Sequence, residues 1–199
     1  MELTQQVPDI SAYLAADDAI DHEHPLVRDT ASRLRSANTD AYSYAEAAYC
    51  FVRDTVPHSV DSGDMRVSWR ASDVLATRNG ICHAKAHALA ALLRAEGIPT
   101  ALCYQGLADD DGEPGVVHGL IALRLPGRNR WYRQDPRGNK PGVDARFSLD
   151  EEQLAWPVRP ELGEVDYPTL YAAPHPAVLR GLRTSADRAE LWRALPTAL

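Results

Sequence analysis

The spacing of apolar residues predicts helices in the first half of the chain. Behind Asp40, which can cap a helix, apolar side chains recur at intervals of three and four residues and predict a helix over 41–55. A shorter helix is predicted over 74–77. The strongest pattern of this kind predicts an amphipathic helix over 82–96, with Gly97 as its stop. Stepping back four residues from Ala86 places Cys82 at the start of that helix's buried face.

After Gly97 the period of the pattern changes from helical to alternating. Strands are predicted over 98–104, 116–125 and 130–134, with an exposed loop over 108–115 and a hairpin turn over 126–129. The second strand has apolar residues on both faces, which predicts a central strand covered on both sides. Across the hairpin, residues whose numbers sum to about 255 should lie opposite each other.

Beyond residue 138 the chain is rich in proline and charge, and its last helical pattern spans 177–195. The length of 199 residues suits one domain. We therefore expect a single domain over 1–199, with a core at about 40–140 and a C-terminal extension, 141–199, packed on it.

Composition and charge narrow the class of protein. Hydrophobic residues make up 45% and charged residues 25%, which are globular values. The net charge of −7 argues against nucleic acid or an anionic membrane as partner. The first residues lack the features of a signal peptide, and no apolar run reaches the roughly 20 residues of a membrane span. Three well-separated cysteines predict free thiols, and with them a cytoplasmic location.

Cys82, His118 and Asp135 are the candidate catalytic residues. The first turn of a helix favours thiolate over thiol, and the preceding Gly80 permits a tight turn. The hairpin pairing places Asp135 within two residues of the position opposite His118, which is within reach of a diagonal neighbour. A thiolate that attacks a carbonyl, an imidazole that moves its proton and a carboxylate that orients the imidazole form a catalytic triad.

These residues sit in segments that resemble the bacterial transglutaminase-like superfamily over about 70–138. The resemblance is carried by Gly80-Ile81-Cys82 at a helix start, by the 92–99 segment that leads into a strand, by Val117-His118, and by the 131–135 segment. It implies an α+β, papain-like fold in which the cysteine-bearing helix packs on an antiparallel sheet. It also implies Cys82 as nucleophile, His118 as base and acid, and Asp135 as the orienting carboxylate. Gly119 departs from the bulky residue found in many members, and we expect it to open the site.

The resemblance implies a cysteine-dependent acyl-transfer enzyme that acts on an amide or peptide bond, with a peptide, a protein or a small amide as substrate and no cofactor. Hydrolysis is favoured over cross-linking because water is always available as acceptor. The alternative is a non-catalytic binding module that retains the fold. For the oxyanion hole, the Cys82 N–H is one expected donor, and His58 or Trp69 could supply the second.

A metal site is a rival interpretation of the same helix. His83 and His87 stand four residues apart, a spacing found for two zinc ligands. Ala84 occupies the position where the zincin motif has a glutamate, so histidines that are solvated or that support the site are favoured, and no metal is predicted. The run at 109–111 lacks the later glutamate of an EF-hand and is interpreted as a solvated loop tip.

Overall fold

The computed structural model describes residues 1–108 and 114–199 and shows helices packed against an antiparallel sheet. Two 3-10 turns, at Ile10–Tyr13 and Pro160–Leu162, complete the regular structure. The helices are α1 Pro25–Ser36, α2 Ala41–Thr55, α3 Ser59–Ser62, α4 Ala71–Thr77, α5 Cys82–Ala95, α6 Pro176–Thr184 and α7 Arg188–Ala194. The strands are β1 Thr4–Gln5, β2 Thr100–Ala108, β3 Pro114–Leu123, β4 Tyr132–Gln134, β5 Val165–Asp166 and β6 Thr169–Leu170.

Helix α5 is the centre of the molecule. It packs against α1, α2 and α4 and against the strands β2 and β3. Its residues from Cys82 to Arg94 are all buried, whereas the apolar pattern predicted burial of one face only. The helix is rich in alanine, and small side chains allow helices and strands to approach it from every direction.

The four-stranded sheet has the order β4-β3-β2-β5 and is antiparallel throughout. Between β3 and β4 the partners are Ile121 with Gln134, Ala122 with Arg133 and Leu123 with Tyr132, so the predicted sum of 255 is confirmed. Strand β3 is interior and covered on both faces, as predicted. Val117, Ile121 and Leu123 belong to the core cluster that contains α5, and Leu120 and Ala122 to the second cluster around Tyr13 and Trp131.

Several element boundaries differ from the predictions. Strand β2 begins at Thr100 and not at residue 98, because the turn that ends α5 uses Ile98: its N–H donates to the Leu93 carbonyl (3.0 Å) while Gly97 adopts φ 73°. Helix α4 begins earlier than predicted, β3 is displaced by two residues toward the N-terminus, and β4 is shorter than 130–134. Of the predicted loop 108–115, residues 109–113 lie outside the described residues, and its flanking residues belong to strands.

The C-terminal extension contributes one strand to the four-stranded sheet and one to a separate two-stranded sheet. Strand β5 pairs with β2, and β6 pairs in parallel with β1. The helical end predicted over 177–195 is two helices, because the chain turns extended at Ser185 and Asp187 caps α7 through the Glu190 N–H. In the described part of the chain, no helix is both long enough and apolar enough to cross a membrane.

Candidate active site

The Cys82 side chain lies at the first turn of the buried helix α5, and 8% of the residue is exposed. A Cβ atom at Gly80 would lie 3.0 Å from the Ala84 Cβ, so a glycine is needed there for space. The same glycine is anchored from outside, since its carbonyl accepts the Ser59 N–H (3.1 Å). The thiol is thereby held at the positive end of the helix, where its ionised form is favoured.

His118 and Asp135 meet across the β3–β4 hairpin. The His118 Nε2 lies 2.8 Å from the Asp135 Oδ2, and both side chains are buried. Asp135 also accepts the Arg137 N–H (3.0 Å) and the Ala155 N–H (3.1 Å). A fully buried carboxylate needs such donors to remain charged, and one of the three comes from the C-terminal extension.

Cys82 and His118 line the same cleft, and each side chain shifts the pKa of the other. Because Asp135 occupies Nε2, the His118 nitrogen left for the sulfur is Nδ1. Burial by itself raises the pKa of the Cys82 thiol, but the imidazoles of His83 and His118 outweigh burial and hold that pKa well below its ordinary value. Burial lowers the pKa of His118, but the opposite effect of Asp135 and Cys82 is larger and raises that pKa to about 10. Both shifts favour the ionised forms, a thiolate beside an imidazolium.

The space beside Gly119 is filled, so the expectation that this glycine opens the site is wrong. A Cβ atom at this position would lie 2.6 Å from the His83 Cδ2 and 3.1 Å from the His83 Cα. The glycine lets β3 approach the first turn of α5, which brings the adjacent His118 to Cys82. The His83 ring is buried against Tyr104, with its Nδ1 3.5 Å from the Cys82 sulfur.

His58 is the candidate oxyanion-hole residue that reaches the nucleophile. Its Nε2 lies 3.1 Å from the Cys82 backbone nitrogen, and its Nδ1 lies 3.3 Å from the Val60 backbone nitrogen. A neutral imidazole has one acceptor nitrogen, so it can accept only one of these two N–H groups at a time. Trp69, the other candidate, is not among the described residues that line the cleft; its carbonyl bonds His87 instead.

The two histidines considered as zinc ligands are both buried, so of the two favoured interpretations the solvated one is wrong and the one as histidines that support the site is left. The His87 Nδ1 bonds the Trp69 carbonyl (2.8 Å), and burial lowers the pKa of His87 to about 4. The His83 Nδ1 faces the Cys82 sulfur. Within the described ranges, no group of three or more His, Cys, Asp or Glu side chains is arranged to hold a metal ion.

A cleft of about 340 Å³ leads to the thiol. One wall carries Trp156, whose ring meets the His118 ring edge-on at 5.3 Å. Another carries Trp192, from α7. Both residues belong to the extension that sequence reasoning treated as packing. The only sign in the sequence that these residues could belong to the site was the presence of isolated tryptophans in a proline-rich, charged tail. No periodic pattern linked them to Cys82.

Comparisons with known proteins bear on the family and the fold of this chain. The model of the transglutaminase-like superfamily matches residues 28–136. A solved structure of a candidate cysteine protease from Cytophaga hutchinsonii is 21% identical with a TM-score of 0.54; the alignment covers 66% of this chain and 43% of that one. The periplasmic domain of TgpA from Pseudomonas aeruginosa is 22% identical with a TM-score of 0.45, covering 64% and 47%. No curated protein matches.

The chain spans less than half the length of each of these two proteins, and identities at this level speak for the fold alone. The predicted papain-like α+β architecture is confirmed by this fold. The family model covers more than half of the 199 residues, including Cys82, His118 and Asp135. This chain belongs to the transglutaminase-like superfamily.

Proposed function

We propose that this protein is a cysteine-dependent acyl-transfer enzyme that acts on an amide or peptide bond and hydrolyses it in preference to cross-linking. One observation carries the proposal: Cys82, at the start of α5, lines one cleft with His118, whose Nε2 lies 2.8 Å from the buried Asp135. Buried charged groups of this kind cost free energy of desolvation and are not needed for a stable fold, which favours a functional role for them.

In the proposed reaction the Cys82 thiolate attacks the carbonyl carbon, and the carbonyl π electrons move to the oxygen. His118 gives its Nδ1 proton to the leaving nitrogen as the C–N bond breaks, which leaves a thioester on Cys82. Neutral His118 then takes a proton from water, the hydroxide adds to the thioester, and the C–S bond breaks to return the thiolate. Asp135 stays ionised and holds the ring through Nε2.

His58 is assigned as the second donor of the oxyanion hole. When its proton is on Nε2, its Nδ1 can accept the Val60 N–H at the start of α3. The Cys82 N–H and the His58 Nε2–H are then two neighbouring donors, and neither can accept a hydrogen bond from the other. A carbonyl oxygen that enters the cleft would then accept both N–H groups, and both donors stabilise the charge that develops on it.

Hydrolysis is favoured over transfer to an amine because nothing among the described residues of the cleft specifies an amine acceptor, whereas water is always present. The second candidate function is a non-catalytic binding module, which the matched fold alone would permit. It gives no reason for the alignment of Cys82, His118 and Asp135.

Selective alkylation tests the catalytic proposal without a known substrate. Limiting iodoacetamide near pH 6 should modify Cys82 well before Cys50 and Cys103, since burial raises the pKa of both other thiols, that of Cys103 to about 12. His118→Ala should slow this reaction but not abolish it, because the His83 Nδ1 remains 3.5 Å from the sulfur. Asp135→Ala should slow it less. If all three thiols react equally slowly and His118→Ala changes nothing, the protein is a binding module.

The role of His58 is tested by comparing two reactions of the same thiol. Acylation by p-nitrophenyl acetate passes through an oxyanion, whereas alkylation by iodoacetamide does not. His58→Ala should lower the ratio of the acylation rate to the alkylation rate about 100- to 1,000-fold, the usual effect of losing one oxyanion donor. His58→Gln, which retains a side-chain N–H, should recover part of it. An unchanged ratio in both variants would remove His58 from the mechanism.

A further inference from the structure

Apolar side chains from five separate parts of the chain line the catalytic cleft. Two of the few large apolar residues that the described surface exposes lie here: Val60 is 43% exposed and Trp192 is 42% exposed. Large apolar side chains left in water around a concave site are a common mark of ligand binding. The apolar side chains that line the cleft are Val60, Leu107, Val116, Trp156, Pro157 and Trp192.

The charged side chains at the cleft are already paired within the chain. Arg137 is 3% exposed, and both of its terminal nitrogens bind the Asp61 carboxylate. Arg159 binds Glu164 through Nε and Nη2. Asp61 also accepts a bond from the Lys140 Nζ (3.0 Å), so each of these charged side chains already contacts an opposite charge. A charged group that entered would have to displace one of these contacts or lose water without a partner, which is costly.

The two tryptophans of the cleft differ in their contacts. The Trp156 ring lies 5.3 Å from the His118 ring and 5.3 Å from the Arg137 guanidinium, so these two side chains hold it in place. Trp192 also lines the cleft, from the short helix α7, and is 42% exposed. Aromatic side chains of this kind contribute a large contact area at low cost in conformational entropy.

We propose, on the basis of the acyl-transfer function above, that the substrate carries a bulky, uncharged apolar group, aromatic or branched aliphatic, within one residue of the bond that is broken. The group lies between Trp192 and the Trp156–Pro157 wall. Small and charged groups at the same position are discriminated against, the former for lack of contact area and the latter for lack of a partner.

Four N-substituted 2-chloroacetamides test this specificity, because each alkylates a thiol as chloride leaves and no turnover is required. The substituents are methyl, benzyl, carboxymethyl and 2-aminoethyl, and each rate at Cys82 is divided by the rate with free glutathione. The benzyl probe should react about 10- to 100-fold faster than the methyl probe, the factor expected for burying a phenyl group. The two charged probes should show no gain.

Trp192→Ala should reduce the benzyl-to-methyl ratio toward one. Tyr42→Ala is the matched control, since Tyr42 is an aromatic residue of similar exposure, 44%, that lies outside the cleft lining; its ratio should equal that of the unmodified protein. Equal or faster reaction of either charged probe, or a ratio that survives Trp192→Ala, would overturn the specificity. Failure of the catalytic proposal shows separately, as a slow reaction of Cys82 with every probe and no effect of His118→Ala.

Discussion

The contact between Gly119 and His83 predicts the outcome of the smallest possible substitution at the site. In Gly119→Ala the new Cβ would lie 2.6 Å from the His83 Cδ2, whereas ordinary contacts begin at 3.4 Å. The ring would have to retreat by at least 3.4 − 2.6 = 0.8 Å, and the His83 Cα, at 3.1 Å, by 0.3 Å. Because the ring is buried against Tyr104, β3 and α5 must separate.

We expect the added methyl group to lower the free energy of unfolding by about 1–3 kcal/mol, as overpacking does in other cores. Urea unfolding of the unmodified protein, Gly119→Ala, His83→Ala and the double variant measures this cost. Since His83→Ala removes the ring but leaves the Cα, the double variant should be less destabilised than the sum of the single variants, with a coupling of about 1 kcal/mol.

The same separation moves His118 away from Cys82, so iodoacetamide should label Cys82 more slowly in Gly119→Ala. A Gly119→Ala variant that unfolds within about 0.5 kcal/mol of the unmodified protein, shows no coupling with His83→Ala and labels at the unmodified rate would contradict this prediction. Such a result would mean that β3 and α5 can separate next to Gly119 without a measurable cost in stability or a change at Cys82.

The remaining predictions concern side chains around the same helix. His87 has a pKa of about 4 in the folded protein against an ordinary 6.5, so between these values the unfolded chain binds more protons and stability falls as pH falls. His87→Gln, which can still donate to the Trp69 carbonyl, is the control. Between pH 6.5 and 4 the free energy of unfolding in urea should fall by about 3 kcal/mol more in the unmodified protein than in this variant, and an equal pH dependence of the two would contradict the prediction. His83→Phe keeps a ring beneath Gly119 but removes Nδ1, so the midpoint of Cys82 labelling with pH should rise, and an unchanged midpoint would make His83 a packing residue. Tyr49→Phe removes the 3.0 Å bond to the Asp135 carbonyl and should cost about 1 kcal/mol in the same unfolding assay.

Local sequence patterns were sufficient to predict the parts of the site that lie on regular elements. The helical spacing behind Cys82 placed the thiol at the start of a buried helix, and Gly97 marked where that helix ends. The hairpin turn set the register in which Ile121 faces Gln134, and that register brings His118 to Asp135. Each of these depends on neighbours within a few residues or on one short turn, so local periodicity carries the information.

The surroundings of those three side chains depend on how distant elements pack, and local patterns did not predict them. His58 reaches the Cys82 N–H from another helix, and Trp156 and Trp192 arrive from an extension without a periodic pattern. His83 is buried although its helix pattern suggested exposure, because β3 closes over it where Gly119 has no side chain. These contacts join residues far apart in the chain through the packing of whole elements, and the order of residues along each element does not encode which others will meet it.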